Sequence, residues 1–215
     1  MSRPTTPLIS RETAITTAIQ LIERDGLDAF SLPKLARAMN VKTPSLYHHF
    51  AGKRDLAASI AATIVRETRI PERPADLTRW QDWFVELAFN HRDVVRRHRG
   101  TALLLLEYIP RDLFVPVYDA CASLLTDADV PAAVHLQILD GLESVVYGAT
   151  LADAVQTEQA RGIEALEADP ERYPHLAAAL GANEKDSDAL LENKVRGFLL
   201  GVLALHEKSA DLVSD

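Results

Sequence analysis

Along the 215-residue chain the apolar residues recur at helical spacing, and no stretch alternates apolar with polar residues as a half-buried strand does. No Asn-Gly or Asp-Gly hairpin signal joins two apolar runs. Such a chain must bury helix stripes against other helices, so an all-α architecture follows.

The helices can be placed from their ends. Ser10, with Glu12 and Thr13 after it, opens one whose face carries Ala14, Ile15, Ala18, Ile19 and Ile22, and Asp25-Gly26 stops it. Ser31 caps a short second helix with Leu35, Ala36 and Met39 inward and Pro33 in its first turn. Asn40 suits a left-handed stop. A third helix begins near Thr43, takes Pro44 in its first turn and runs to Phe50. Ala51-Gly52 breaks it, and a fourth runs from Lys53 towards Ile70. Two short helices joined by the tight turn MNVK, with a longer helix on each side, make a helix-turn-helix module. Its core is Leu27, Phe30, Leu35, Met39, Val41, Leu46 and Phe50, and Leu56, Ile60 and Ile64 tie it to the rest.

The Pro-punctuated segment RIPERPADLT marks a boundary, giving domains over residues 1–70 and 71–215. In the second, helices are expected over Trp80–Arg97, within HRGTALLLLEYIP, over Asp112–Leu125 and over Pro131–Gln159. A short piece follows around His175–Leu180, and a last helix over Ser187–His206.

The net charge is −8, but it is unevenly spread. Residues 1–56 hold eight Lys and Arg against five Asp and Glu, a balance of +3, which leaves −11 for the remainder. A basic front end on an acidic body is suited to meeting an anion. One cysteine, Cys121, cannot form an intrachain disulfide, which suits a reducing compartment. MSRPTTPLIS lacks the apolar stretch of a signal peptide, and FLLGVLAL is too short to span a membrane. A cytoplasmic protein with no membrane partner is expected.

In a helix-turn-helix the later helix of the pair lies in the major groove of double-stranded DNA. Away from Leu46 and Phe50 point Thr43, Ser45, Tyr47 and His48, which can bond to bases and phosphates. Lys53 opens the next helix, where an ammonium and free backbone N–H groups can grip one phosphate. The pattern Leu35-Ala36, Val41, Ser45-Leu46-Tyr47-His48-His49-Phe50, Lys53 and Leu56 resembles the DNA-binding domain of the tetracycline-repressor (TetR) family over about residues 10–65. Farther on, WQDW at Trp80–Trp83, HRG at His98–Gly100 and DGLESVVYGATLADAVQTEQ at Asp140–Gln159 resemble the tetracycline-repressor branch itself. The resemblance implies an N-terminal helix-turn-helix domain followed by a larger helical ligand-binding and dimerisation domain. It implies that Thr43, Pro44, Ser45, Tyr47 and His48 face a palindromic operator, that Lys53 contacts phosphate, and that Lys34 is a further contact. Where relatives place Thr or Arg near the start of the second helix, this chain has Leu32-Pro33, so its base choice there should differ.

The family also implies a small-molecule effector in the second domain, for which Trp83, Leu87, His91, Phe114, Tyr118 and Tyr147 are the candidate lining residues. Tetracycline repressors proper carry a His in the short helix after the fifth, which helps hold a metal–drug chelate. This chain has TALLLLEYIP there, and Leu87 and His91 where relatives have Asn and Phe, so neither tetracycline nor a metal is expected. The segments Pro131–Gln159 and Asp188–His206 are apolar on more than one face, with Leu190, Leu191, Val195, Phe198, Leu199, Val202 and Leu203 in the latter. The family buries such helices in a homodimer, whose two-fold suits a palindrome. Two other classes compete: a helical enzyme using His91 and His98 with Glu86 and Asp93, and an interaction module that does not bind DNA. No Gly-rich phosphate loop, G-x-S-x-G elbow or H-E-x-x-H occurs, so no catalytic apparatus and no cofactor is expected.

Overall fold

The computed structural model describes residues 10–155, 166–183 and 186–214, which form helices and turns with no strand among them. The helices are α1 (Arg11–Asp25), α2 (Leu32–Ala38), α3 (Thr43–Leu46), α4 (Lys53–Val65) and α5 (Trp80–Arg97). They continue with α6 (Ala102–Glu107), α7 (Arg111–Asp127), α8 (Ala132–Val155), α9 (Pro174–Gly181) and α10 (Ser187–Ser214). The chain forms two compact units, Met1–Thr68 with Arg97–Phe114, and Arg69–Arg96 with Val115–Asp215.

Within the first unit the ends follow local chemistry. Ser10 and Thr13 form a reciprocal cap on α1, and Ser31 accepts from the Lys34 N–H at the start of α2. Asn40 has φ 55°, the left-handed stop between α2 and α3. Ile15, Ala18 and Ile22 of α1 meet Phe30, Leu35, Leu46, Phe50, Leu56, Ile60 and Ile64 as buried residues of this unit; Leu27, Met39 and Val41 are only half-buried. Regular α4 ends at Val65, short of Ile70: the N–H groups of Glu67 and Thr68 bond three residues back in closing turns. Pro71 in turn disfavours helical backbone at Ile70.

Residues 97–114, on the far side of the sequence boundary at 70, group with the N-terminal helices in the first unit. Here α6 lies against α4, and the turn Arg99–Thr101 lies against α1. The Gly100 N–H donates to the Glu23 carboxylate at 3.0 Å, and a Cβ at Gly100 would come within 3.1 Å of the α1 backbone. Only glycine permits that approach without displacement.

In the second unit the described residues build a hydrophobic core from four helices. Trp80, Trp83, Phe84, Val85 and Ala88 of α5 meet Cys121, Leu124 and Leu125 of α7, Val134, Ile138 and Leu142 of α8, and Leu191, Val195, Leu199 and Val202 of α10. The Phe198 ring of α10 lies on Gly141 of α8, where a Cβ would overlap it. Arg196 bonds Asp82 at 2.7 Å, and the buried Arg92 bonds Asp188 at 2.8 Å with its guanidinium carbon 4.5 Å from the centre of the Phe89 ring. Helix α10 runs eight residues past His206, and the expected end of the preceding long helix, residues 156–159, lies outside the described residues.

Candidate nucleic-acid interface and ligand site

Helix α3 is a single turn, shorter than the Thr43–Phe50 helix the sequence suggests. Past Leu46 the helical path tightens: Tyr47 N–H bonds Pro44 O at 3.2 Å and His49 N–H bonds Leu46 O at 3.0 Å. Leu46 and Phe50 are buried and fix the roll of this segment. Pro44, Tyr47 and His48 are therefore exposed, Tyr47 by 57%, and Thr43 and Ser45 are half-exposed. Lys34 on α2 and Lys53 on α4 are exposed too. Leu32 is buried and Pro33 is exposed, so neither of the first two residues of α2 offers a hydrogen-bonding side chain, and Lys34 is the first that does.

Between this segment and α4 lies a fastening that no sequence pattern announces. The Arg11 guanidinium donates to the His49 carbonyl, to Asp55 Oδ1 at 2.8 Å and to Ser59 Oγ at 2.6 Å. It also sits 4.6 Å from the centre of the Phe50 ring. Asp55 uses its second oxygen to accept the Ala51 N–H at 2.9 Å. The hydrogen bond from Arg11, then that from Ala51, holds the Asp55 carboxyl below the usual carboxylate range. These partners are 38 to 48 residues from Arg11, beyond the reach of any local pattern.

Of the candidate lining residues, Trp83, Leu87, His91, Tyr118 and Tyr147 belong to the second unit and Phe114 to the first. Trp83 is in the core and donates its indole N–H to Pro71 O at 3.0 Å. Leu87 is half-buried against that core. His91 is only 6% exposed, its ring 5.0 Å from that of buried Tyr147. Burial pushes the His91 pKa down to about 4, so the imidazole is neutral at pH 7. The Tyr118 hydroxyl donates to the half-buried Glu143 carboxylate.

The two histidines of the enzymatic alternative do not share a setting. His98 belongs to the first unit, where its Nε2 lies 3.0 Å from Glu67 Oε1, and Arg97 bonds the same carboxylate at 3.2 Å. Burial opposes ionisation of Glu67, but the bonds from His98 and Arg97 overcome it and keep the carboxyl below its usual range. Cys121 is buried, and burial pushes its thiol up to about 12, so it is a small core side chain rather than a nucleophile. Among the described residues no group of three or more His, Cys, Asp and Glu could hold a metal.

Comparison with known families agrees with this arrangement. Residues 14–60 match the model of bacterial regulatory proteins of the tetR family, and residues 71–205 match the tetracyclin repressor-like C-terminal domain. This chain belongs to the TetR family. The class D tetracycline repressor of Escherichia coli is 25% identical over 204 residues, covering 92% of each chain. Apo ActR from Streptomyces coelicolor shares the fold, with a TM-score of 0.76 at 21% identity over 95% of this chain and 100% of that one. ActR has also been solved in complex with actinorhodin, with a TM-score of 0.75 at 21% identity over 93% of this chain and 98% of that one. As a TetR-family member the chain is a DNA-binding, ligand-responsive repressor with a helix-turn-helix domain ahead of an α-helical C-terminal domain.

Proposed function

We propose that this TetR-family repressor acts as a homodimer on a pseudo-palindromic operator, through Thr43, Pro44, Ser45, Tyr47 and His48 at the bases and phosphates, with Lys34 and Lys53 on the backbone. The observation that carries this is the exposure of Pro44, Tyr47, His48, Lys34 and Lys53 around the buried anchors Leu46 and Phe50. Phosphate contacts fix register, and the residues between them read bases. The protein acts by binding, not by catalysis, and works in the cytoplasm; no helix among the described residues is long and apolar enough to cross a membrane.

The dimer forms through α8 and α10. Leu199, which the sequence pattern offers as an interface residue, is fully buried within its own protomer, whereas Leu136, Leu200 and Leu205 are more than half exposed. Apolar exposure on two long helices is what a second copy would cover.

The effector is a mainly apolar small molecule taken up around His91 and Tyr147, with Leu87 and Tyr118 nearby in the unit. A neutral imidazole offers one donor and one acceptor, so the expected polar group is an uncharged hydrogen-bonding one. Only a molecule that favours the non-binding arrangement of the protein can release DNA. A coupling of about 1–3 kcal/mol would loosen the operator roughly 5- to 150-fold.

The test is selection of bound duplexes from random DNA. A recovered palindrome, bound less tightly as salt rises, supports the reading. Lys53→Ala should then weaken all sequences alike and reduce the salt slope by about one for each phosphate no longer neutralised. The same duplex serves to screen molecules for release, and hits should lose potency against Leu87→Ala and His91→Ala. Binding indifferent to salt and to Lys53→Ala would refute the interface.

A further inference from the structure

The Arg11 fastening does more than join two helices. A half-exposed ion pair contributes little to stability, about 0–1 kcal/mol, and here the side chains of Arg11 and Asp55 are 43% and 34% exposed. Its position is more telling than its strength. On one side of the Ala51-Gly52 break stand the proposed base-facing residues up to His48, and on the other stands the proposed phosphate contact Lys53. Arg11 holds the His49 carbonyl before the break and Asp55 after it, while Asp55 holds the Ala51 N–H inside it. Gly52, with φ 157° and no side chain, gives the break little stiffness of its own.

We propose that Arg11, acting with Asp55, is a positioning residue for DNA recognition: it sets the spacing between the Thr43–His48 edge and Lys53 without touching DNA. This rests on the operator contacts proposed above. Arginine suits the task because its planar fork reaches several acceptors at once and its face stacks on an aromatic ring. A lysine at the position would have to meet all three acceptors from a single nitrogen, whereas the guanidinium uses two, Nη1 on His49 O and Nη2 on Asp55 and Ser59. Asn at Asp55 would have one acceptor oxygen instead of two, so it could serve Arg11 or Ala51 but not both.

The experiment is a double-mutant cycle on full-length protein, read by fluorescence anisotropy with a labelled duplex carrying the selected palindrome. Arg11→Met and Asp55→Asn are each expected to weaken binding roughly tenfold, with Arg11→Lys giving little recovery. Combined with Arg11→Met, Lys53→Ala should lose most of its own effect, because the lysine no longer meets its phosphate. Additive losses would overturn the proposal, as would unchanged affinity in Arg11→Met, because Arg11 would then act independently of Lys53 or not at all. A drop in salt slope from Arg11→Met alone with Lys53→Ala fully effective would mark Arg11 as a direct phosphate contact and also overturn it. If Lys53→Ala and Ser45→Ala leave binding intact, the reading of the whole face fails, a different result from additivity. Far-UV circular dichroism identifies any variant that does not fold, in which case the milder Asp55→Asn and Arg11→Lys decide the matter by the same cycle.

Discussion

The buried imidazole of His91 makes a quantitative claim on stability. In the unfolded chain a histidine titrates near 6.5, while in the native protein burial lowers it to about 4. Above pH 6.5 both states hold a neutral ring and His91 contributes nothing to the pH dependence. As pH falls below 6.5 the unfolded state takes up a proton that the native state refuses, so unfolding is favoured; the loss stops growing once pH passes below about 4. The sign is that of a depressed native pKa: stability is present above the unfolded value and lost on acidification. Two and a half pH units correspond to about 3 kcal/mol in full, and about 2 kcal/mol of that falls between pH 7 and pH 5. Against a domain stability of about 5–15 kcal/mol this is readily measured. Urea unfolding at pH 7, 6 and 5, at one fixed protein concentration because a dimer adds mass action, should show the wild type losing about 2 kcal/mol more than His91→Gln over that range. Carboxylates such as Asp55 and Glu67 titrate in both proteins and cancel in the difference. Parallel curves for the two proteins would refute a buried neutral histidine.

Two further outcomes follow from packing. A methyl group at Gly141 would overlap the Phe198 ring, so Gly141→Ala should lower stability by about 1–3 kcal/mol, and Phe198→Leu should recover part of it in a thermal melt. No recovery would mean that the two helices do not meet there. For assembly, Leu200→Asp or Leu136→Asp should give folded monomers by sedimentation, because each is exposed within its protomer, whereas Leu199→Asp should abolish folding by burying an unpaired charge. An unchanged dimer in both exposed-site variants would place the interface elsewhere.

How much of this is legible in the sequence depends on the range of the interaction involved. Caps are local, so Ser10, Ser31, Asn40 and the Pro44 first turn stand out, and they place the starts of α1 to α3. The helical stripe is also local, so Leu46 and Phe50 declare themselves as anchors, and Tyr47 and His48 as the residues facing outward. The grouping of residues 97–114 with the first unit is, by contrast, not local. RIPERPADLT breaks the helix pattern, but the return of 97–114 to the first unit is made by contacts such as Gly100 with Glu23, a pairing 77 residues apart that no composition shift announces. The stripe Trp83, Leu87, His91 does run along α5, yet periodicity cannot separate a core ring such as Trp83 from a side chain available to a ligand.

Arg11 shows the same limit at its sharpest. In the sequence it is one charged residue in the first turn of a helix, where a cation opposes the helix dipole and looks mildly unfavourable. Its reason for being there is the turn it reaches across space, at His49, Asp55 and Ser59. Local rules thus find which residues of this segment are exposed, and so proposed to meet DNA, because exposure follows from what the neighbours bury. They do not find the residues that hold those side chains at a working distance from one another, because holding is done by whatever the fold brings close. In a reading head whose third helix is a single turn, that second group decides whether the first can act together. A cycle linking Arg11 to Lys53 therefore tests how the site is held, where single substitutions at Thr43 or Ser45 test only what it touches.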